Sequence, residues 1–277
     1  MSERVLISRI AGEKVPVFLA AMGGITGPSY ALKVACTGYT AGVSIGGYDL
    51  DTTTHEASLE MSKRRREFTI HPEKLFERIK DELLLILVHN SCFVNVRAVE
   101  GDYLPDFCEK IKKISRESRW PSIIELNAHC AQPEMLEIGA GLELARNRTR
   151  IAKLIEIIKN NGLLAGLKYK IVHSPENPFN SETFVEFLTF LKSQGLDILH
   201  LDSFQKGKTG NYTLPIAIAA GKIQGLMITG NNSILNAVDG QKMLAAGAHA
   251  FSIARGYLND HSIFQRITED FLQSYQV

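Results

Sequence analysis

Cysteine is scarce: four thiols, Cys36, Cys92, Cys108 and Cys130, are spread over 277 residues with no Cys-x-x-Cys pair and no histidines at metal-ligating spacing. A disulfide framework and a zinc or iron–sulfur site are therefore not expected; four reduced thiols in a cytoplasm are. Net charge is nearly absent as well, 31 Lys+Arg against 30 Asp+Glu giving +1. No global field draws the chain to nucleic acid, although a local patch could still do so. Long apolar runs are missing: the longest aliphatic stretch, Leu83 to Val88, falls far below the roughly 20 residues that span a bilayer. The first fifteen residues carry Glu3, Arg4, Arg9, Glu13 and Lys14 and lack the apolar segment of a signal peptide, so a cytoplasmic protein without a membrane anchor is expected. What is present is a hydrophobic share of 45% with 22% charged residues, enough for a large core and incompatible with a disordered or fibrous chain.

Short β-rich apolar runs alternate with longer segments of helical period along the whole chain, the pattern of a parallel sheet built from βα units. The runs are Val17–Ala21, Gly42–Ile45, Phe93–Arg97, Ile123–Asn127, Ala165–Ile171, Ile198–Leu201, Leu226–Thr229 and Ala250–Ala254. Between them, Tyr103–Ser115, Arg148–Asn160, Ser181–Gln194 and Ile234–Ala246 repeat apolar residues three or four apart. Eight such units predict an α/β (β/α)8 TIM barrel in a single domain, residues 1–277. A doubly wound open sheet is the alternative, and eight strands exceed its usual count. The one irregular spacing is residues 47–90, an insertion between strands 2 and 3 that is expected to cover the barrel mouth or to build a contact with a second copy of the chain. It contains the basic run Lys63, Arg64, Arg65 and Arg66 and a proline-started helix from Pro72. That run could hold phosphate groups, or be a solvated face balanced by Glu56, Glu60 and Glu67.

Catalytic groups of such barrels stand at the carboxyl ends of the strands. After strand 1, Gly23 and Gly24 let backbone approach a flat ligand. After strands 7 and 8, Gly230, Asn231, Arg255 and Gly256 are placed where this fold commonly binds phosphate. Strand 4 ends on Asn127 and Cys130; a thiol with an ordinary pKa of about 8.5 is mostly protonated at neutral pH and suits a general acid. Strand alternation is expected to turn neighbouring His129 the other way, so a Cys–His pair is not predicted. In strand 5, Lys168 and Lys170 alternate and can both point inward, where each needs an anionic partner such as a flavin edge or a carboxylate. Asn95 in strand 3 is a polar inward candidate able to reach the same ring.

Taken in order, these segments resemble the FMN-dependent barrels of the tRNA-dihydrouridine synthase and dihydroorotate dehydrogenase superfamily. Leu19-Ala20-Ala21-Met22-Gly23-Gly24-Ile25-Thr26 is similar to the synthases' LAPMAGVTD, and Asn127-Ala128-His129-Cys130 to their NxGCP and the dehydrogenases' NxSCPN. Leu167-Lys168-Tyr169-Lys170 is similar to VKxR, Thr229 to Ile234 and Ile253 to Gly256 to the phosphate-binding GNGDI and GRG. The resemblance implies FMN as cofactor and an oxidoreductase acting on a CH–CH or C=C bond, with hydride passing through flavin N5 and a proton through Cys130. It also implies flavin contacts for Ala21, Met22, Gly23, Asn95, Asn127 and Lys168, and substrate contacts for Asn127, Gln132, Lys170, Asp202 and Ser203. Two departures narrow it. After the last strand only residues 259–277 remain, so the synthases' helical tRNA-binding domain is expected to be missing. Their HGRT is replaced by Leu201-Asp202-Ser203-Phe204, where Asp202 would repel an anionic orotate. An archaeal-type branch acting on a smaller pyrimidine-like molecule is implied, with NAD(P)H among the open electron partners and the reaction direction open. The alternatives are a tRNA-binding protein using the Lys63–Arg66 run, which the neutral charge disfavours, and a non-flavin barrel enzyme on a phosphorylated metabolite.

Overall fold

Each of the eight apolar runs forms a strand. In the computed structural model, which describes residues 3–172, 178–203 and 212–274, these are β1 (Val17–Leu19), β2 (Gly42–Asp49), β3 (Ser91–Arg97), β4 (Ser122–Ala128), β5 (Leu164–Lys170), β6 (Ile198–Asp202), β7 (Met227–Asn231) and β8 (Ala250–Ile253). All pair in parallel with their sequence neighbours and β1 closes on β8, so the fold is a (β/α)8 barrel. The helices, in chain order, are α1 (Glu3–Ala11), α2 (Pro28–Ala35), α3 (Thr52–Ser62), α4 (Pro72–His89), α5 (Leu104–Glu117), α6 (Pro133–Glu137), α7 (Arg148–Asn160), α8 (Ser181–Ser193), α9 (Leu214–Lys222), α10 (Ala237–Ala245), α11 (Arg255–Asn259) and α12 (Ile263–Ser274). None of the described helices is long and apolar enough to cross a membrane.

Alternation divides each strand between two environments. Outward residues such as Cys92, Val94 and Val96 of β3 pack under the helices in the main core. Inward residues form two storeys. At the amino-terminal end Phe18, Phe93, Ile123, Leu164, Ile198, Met227 and Ala250 make an apolar plug, which Leu6, Ile10 and Ala11 of α1 seal from below. Above it the interior turns polar: Ser44, Asn95, Glu125, Lys168, His200, Thr229 and Ser252 are all buried.

Two boundaries differ from the sequence pattern for physical reasons. β2 was expected to stop at Ile45 before two glycines, but it runs on to Asp49 through a register shift between Gly46 and Tyr48. Gly46 adopts φ +102°, where a side chain would also strike Asn95 O and the Tyr48 ring. The helix expected from Ile234 starts at Ala237, because Asn236 caps it, its side chain accepting from Asp239 N at 2.9 Å. The insertion after β2 consists of α3 and the segment to Pro72, while α4 is the ordinary return helix leading into β3.

Fully buried Asp51 anchors the start of that insertion. Its Oδ1 accepts from Thr54 N at 2.7 Å and caps α3; its Oδ2 accepts from the amides of Val99, Glu100 and Gly101 at 2.5, 3.1 and 3.2 Å. One carboxylate thus satisfies four donors and ties the insertion to the loop after β3. Asp51→Ala is expected to destabilise the fold by roughly 3 kcal/mol, the scale of buried donors left unpaired from a charged acceptor. Asp51→Asn should lose less, and urea unfolding of both variants measures the difference.

Candidate active site

The carboxyl ends of the strands open into a cavity of about 690 Å3, the size of sites that hold small molecules and cofactors. Its floor is the polar storey, and its wall includes the loops after β1, β4, β7 and β8 and the segment after α3. A second, more open depression of about 520 Å3 is lined by Gly139, Glu143 and residues 146–150 of the segment that follows β4.

The turn after β4 is fixed by Asn127. Its Oδ1 accepts from the amides of His129 and Cys130 at 3.1 and 2.9 Å, and its Nδ2 donates to Asn95 Oδ1 at 2.8 Å. On the other side the Cys130 carbonyl accepts from Leu142 N at 2.9 Å, with Gly141 (φ +60°) so close that a Cβ would collide with it. Cys130 is thereby held from both ends at the cavity wall. Burial raises the thiol's pKa, and Glu67 adds to this, against a Gln132 amide bond and the Arg97 charge. The group therefore stays protonated at neutral pH.

The floor centres on Glu125, which is wholly buried. It accepts from Asn95 Nδ2 at 2.7 Å and pairs with His200 Nδ1 at 2.8 Å. Burial pushes this carboxyl up, but His200, Lys168 and Asn95 outweigh it and hold the pKa below its ordinary value. Because a carboxylate only accepts, His200 carries its proton on Nδ1. His200 Nε2 lies 2.6 Å from Ser252 Oγ, which accepts from Asn231 Nδ2 at 2.9 Å. One unbroken set of hydrogen bonds therefore runs under the cavity from the Cys130 turn to the end of β7. Lys168 stands beside it, 3% exposed, donating to Ala21 O at 2.9 Å. Burial lowers its pKa, opposed by Glu125 and Asp202.

The insertion supplies the wall nearest the thiol. Arg97 pairs with Asp49 at 2.9 Å and Glu67 at 3.0 Å, and donates to Gly47 O at 2.5 Å. Glu67 also meets Arg65 at 3.1 Å. Burial pushes Asp49 up to about 7, against the pull of Arg97. The glycine turn after β1 makes room for this segment: a Cβ on Gly24 (φ +71°) would collide with the Arg66 backbone, and one on Gly23 would meet Glu67 at 3.1 Å. Gly24 was expected to admit a flat ligand; its open side is filled by protein instead. Three members of the basic run have carboxylate partners, Lys63 with Glu60, Arg64 with Glu134 and Arg65 with Glu67.

Of the residues singled out in the sequence, Ala21, Met22, Gly23, Asn95, Asn127, Cys130, Gln132, Lys168, Lys170, Asp202, Asn231, Arg255 and Gly256 all reach this cavity. Gly230 does not; alternation in β7 turns it outward, where a Cβ would meet Ile216 at 2.9 Å and Met243 at 3.0 Å. Nor does Ser203, which is buried with its hydroxyl donating to Tyr212 O. Phe204 lies outside the described residues. His129, expected to turn away, faces the cavity because β4 ends at Ala128, and it pairs with Asp202 at 2.7 Å. Sequence reasoning passed over Glu125, His200 and Ser252. Each lies two residues from a polar residue already singled out or at a strand end, so alternation could have found them. Arg65 and Glu67 were noted as a basic run and its balancing acid, but nothing local showed that Glu67 would reach Arg97 of β3 at the cavity wall.

No family model matches the sequence. Among solved structures, a FabK mutant from Thermotoga maritima superposes with a TM-score of 0.56 at 13% identity over 93% of this chain. This chain spans 66% of that protein, just under two thirds of its length. DHODH from Eimeria tenella in complex with ferulenol gives a TM-score of 0.66 at 13% identity, covering 93% of this chain and 80% of that one. At these identities the likeness is one of fold. The sequence is 31% identical over 244 residues to the uncharacterised protein MJ0144 of Methanocaldococcus jannaschii, covering 87% of this chain and 89% of that one, and the chain therefore belongs to the same family as MJ0144.

Proposed function

We propose that this protein is an FMN-dependent oxidoreductase acting on a CH–CH or C=C bond of a small pyrimidine-like molecule. The observation that carries the reading is one cavity holding a fixed Cys130, a buried Lys168 and a small-residue turn with Arg255. The residues fit a flavin. Among the described residues Lys168 has one hydrogen-bond partner, Ala21 O, so its ammonium keeps donors for a polar ring edge. The backbone of Ala21 to Gly23 borders the same space. Asn231, Arg255 and Gly256 would take the phosphate, and Lys168 with Asn95 the isoalloxazine edge. When bound, FMN supplies hydride exchange with one carbon of the substrate double bond. The DHODH likeness in fold and the motif resemblance to FMN barrels support the same reading.

The chain's own residues would then do three things. Cys130 Sγ gives a proton to the neighbouring carbon, or takes one in the reverse direction. Asn127 fixes where that sulfur stands, and Arg97 with Glu67 keeps the thiol's surroundings close to charge-balanced. The separate carboxylate partners of Lys63, Arg64 and Arg65 offset much of the positive charge of the basic run, which weighs for a small substrate over tRNA.

Protein purified with excess FMN is expected to be yellow and to retain the cofactor through gel filtration; a colourless protein defeats the reading. Arg255→Ala should lower the FMN retained, as read from absorbance per mole of protein. Cys130→Ala should keep FMN yet slow substrate-dependent flavin turnover by roughly 100-fold, measured by stopped-flow absorbance. Since a general acid works only while protonated and burial raises this thiol's pKa, turnover in the reductive direction should stay level through neutral pH and fall only on the alkaline side. Cys130→Ser should abolish that alkaline fall in a pH–rate profile.

A further inference from the structure

The wall between the ends of β4 and β6 carries chemistry that proton transfer by Cys130 does not use. Asp202 lines the cavity and is 9% exposed. Its Oδ2 lies 2.7 Å from Nε2 of His129. Its Oδ1 is buried and has no hydrogen-bond partner among the described residues. A carboxylate only accepts, so the proton between the two groups sits on His129 Nε2. Burial holds the His129 pKa below its ordinary value, with Lys168 and Lys170 adding to this against the bond to Asp202. The ring is therefore neutral and its Nδ1 is a second acceptor. Both groups are held firmly: Asn127 bonds the His129 amide at 3.1 Å, and Ile171 N bonds the Asp202 carbonyl at 2.9 Å. Asp202 Oδ1 and His129 Nδ1 are two acceptors at this point of the wall, one of them on a buried carboxylate, while Lys168 and Lys170 of β5 line the same cavity beside them.

An unpaired buried carboxylate oxygen is costly, and a ligand N–H placed against it removes that cost. A ligand carboxylate in the same place adds a like charge and leaves both acceptors unmatched. Resting on the cavity being the substrate site, as proposed above, we infer that Asp202 and His129 select an uncharged cyclic amide or ureide that donates N–H to Asp202 Oδ1, and reject the carboxylated counterpart of the same ring.

Uracil and orotate, and dihydrouracil and dihydroorotate, are matched probes that differ by one carboxylate. FMN content is measured first on protein purified with excess FMN, which judges the flavin reading separately. The probes are then titrated by calorimetry, and by flavin absorbance where FMN is present. The neutral member of at least one pair should bind tenfold or more tightly than its acid. Asp202→Asn should weaken the neutral ligand by tenfold or more and tighten the acid, with FMN content and melting temperature unchanged. Stronger or equal binding of the acids, no binding by either neutral ring, or an unchanged neutral affinity in Asp202→Asn overturns the inference whether or not FMN is retained.

Discussion

A carboxylate at the centre of the barrel, wholly removed from water, is the constraint from which the site follows. Leaving Glu125 without partners in that interior would cost several kcal/mol, and its own strand cannot supply them. Asn95 arrives from β3 and His200 from β6, and Lys168 adds its charge from β5. Each of these partners has one more polar atom to satisfy. Asn95 turns to Asn127, which fixes the Cys130 turn; His200 turns to Ser252, which meets Asn231. The floor therefore joins strands β3 to β8 into one rigid polar layer, and the groups that face the cavity are aimed by the barrel more than by loops.

A second balance of charge holds the insertion over that floor. Arg97 is buried between Asp49 and Glu67, and Glu67 in turn engages Arg65. Alternating signs let two buried carboxylates and a buried guanidinium coexist where any one alone would be strongly unfavourable. Outside, Arg64 meets both oxygens of Glu134 and also reaches Gln132, tying the insertion to the turn two residues beyond Cys130. That pair is exposed and contributes little stability by itself; its consequence is geometric. The basic run is thus no string of unmatched like charges: Glu60 and Glu67 of the same segment, which the sequence offered as its balance, pair with Lys63 and Arg65, and Glu134 from beyond β4 pairs with Arg64.

The two storeys of the barrel interior show how the fold separates stability from chemistry. Phe18 and Phe93, with ring centroids 5.4 Å apart, lie in the apolar plug under α1, where mismatches of volume are costly. The polar storey above contributes less net stability and sets where hydrogen-bonding groups point. Asp202 and His129 continue that storey up the wall, which is why an unpaired oxygen there is informative about a ligand.

Much of this was legible in the sequence. The eight strands show because a closed parallel barrel needs apolar residues on both faces of its lower half, producing compact runs that recur between segments of helical period. Cys130, Asn127, Lys168 and Arg255 show because strand ends in this fold are where function gathers. Gly230 and Ser203 were misplaced for the opposite reason: one residue along a strand reverses the direction of a side chain, and proximity in sequence does not reveal the face. His129 needed the end of β4 to be known to the residue. The sequence by itself determined the βα repeat, the apolar plug and the supply of polar residues at the mouth. Only the tertiary structure decided which of them meet, because Glu125 and His200, Arg97 and Glu67, and Asp202 and His129 are separated by 75, 30 and 73 residues. Barrel closure and strand register set such pairings, and no local pattern encodes them.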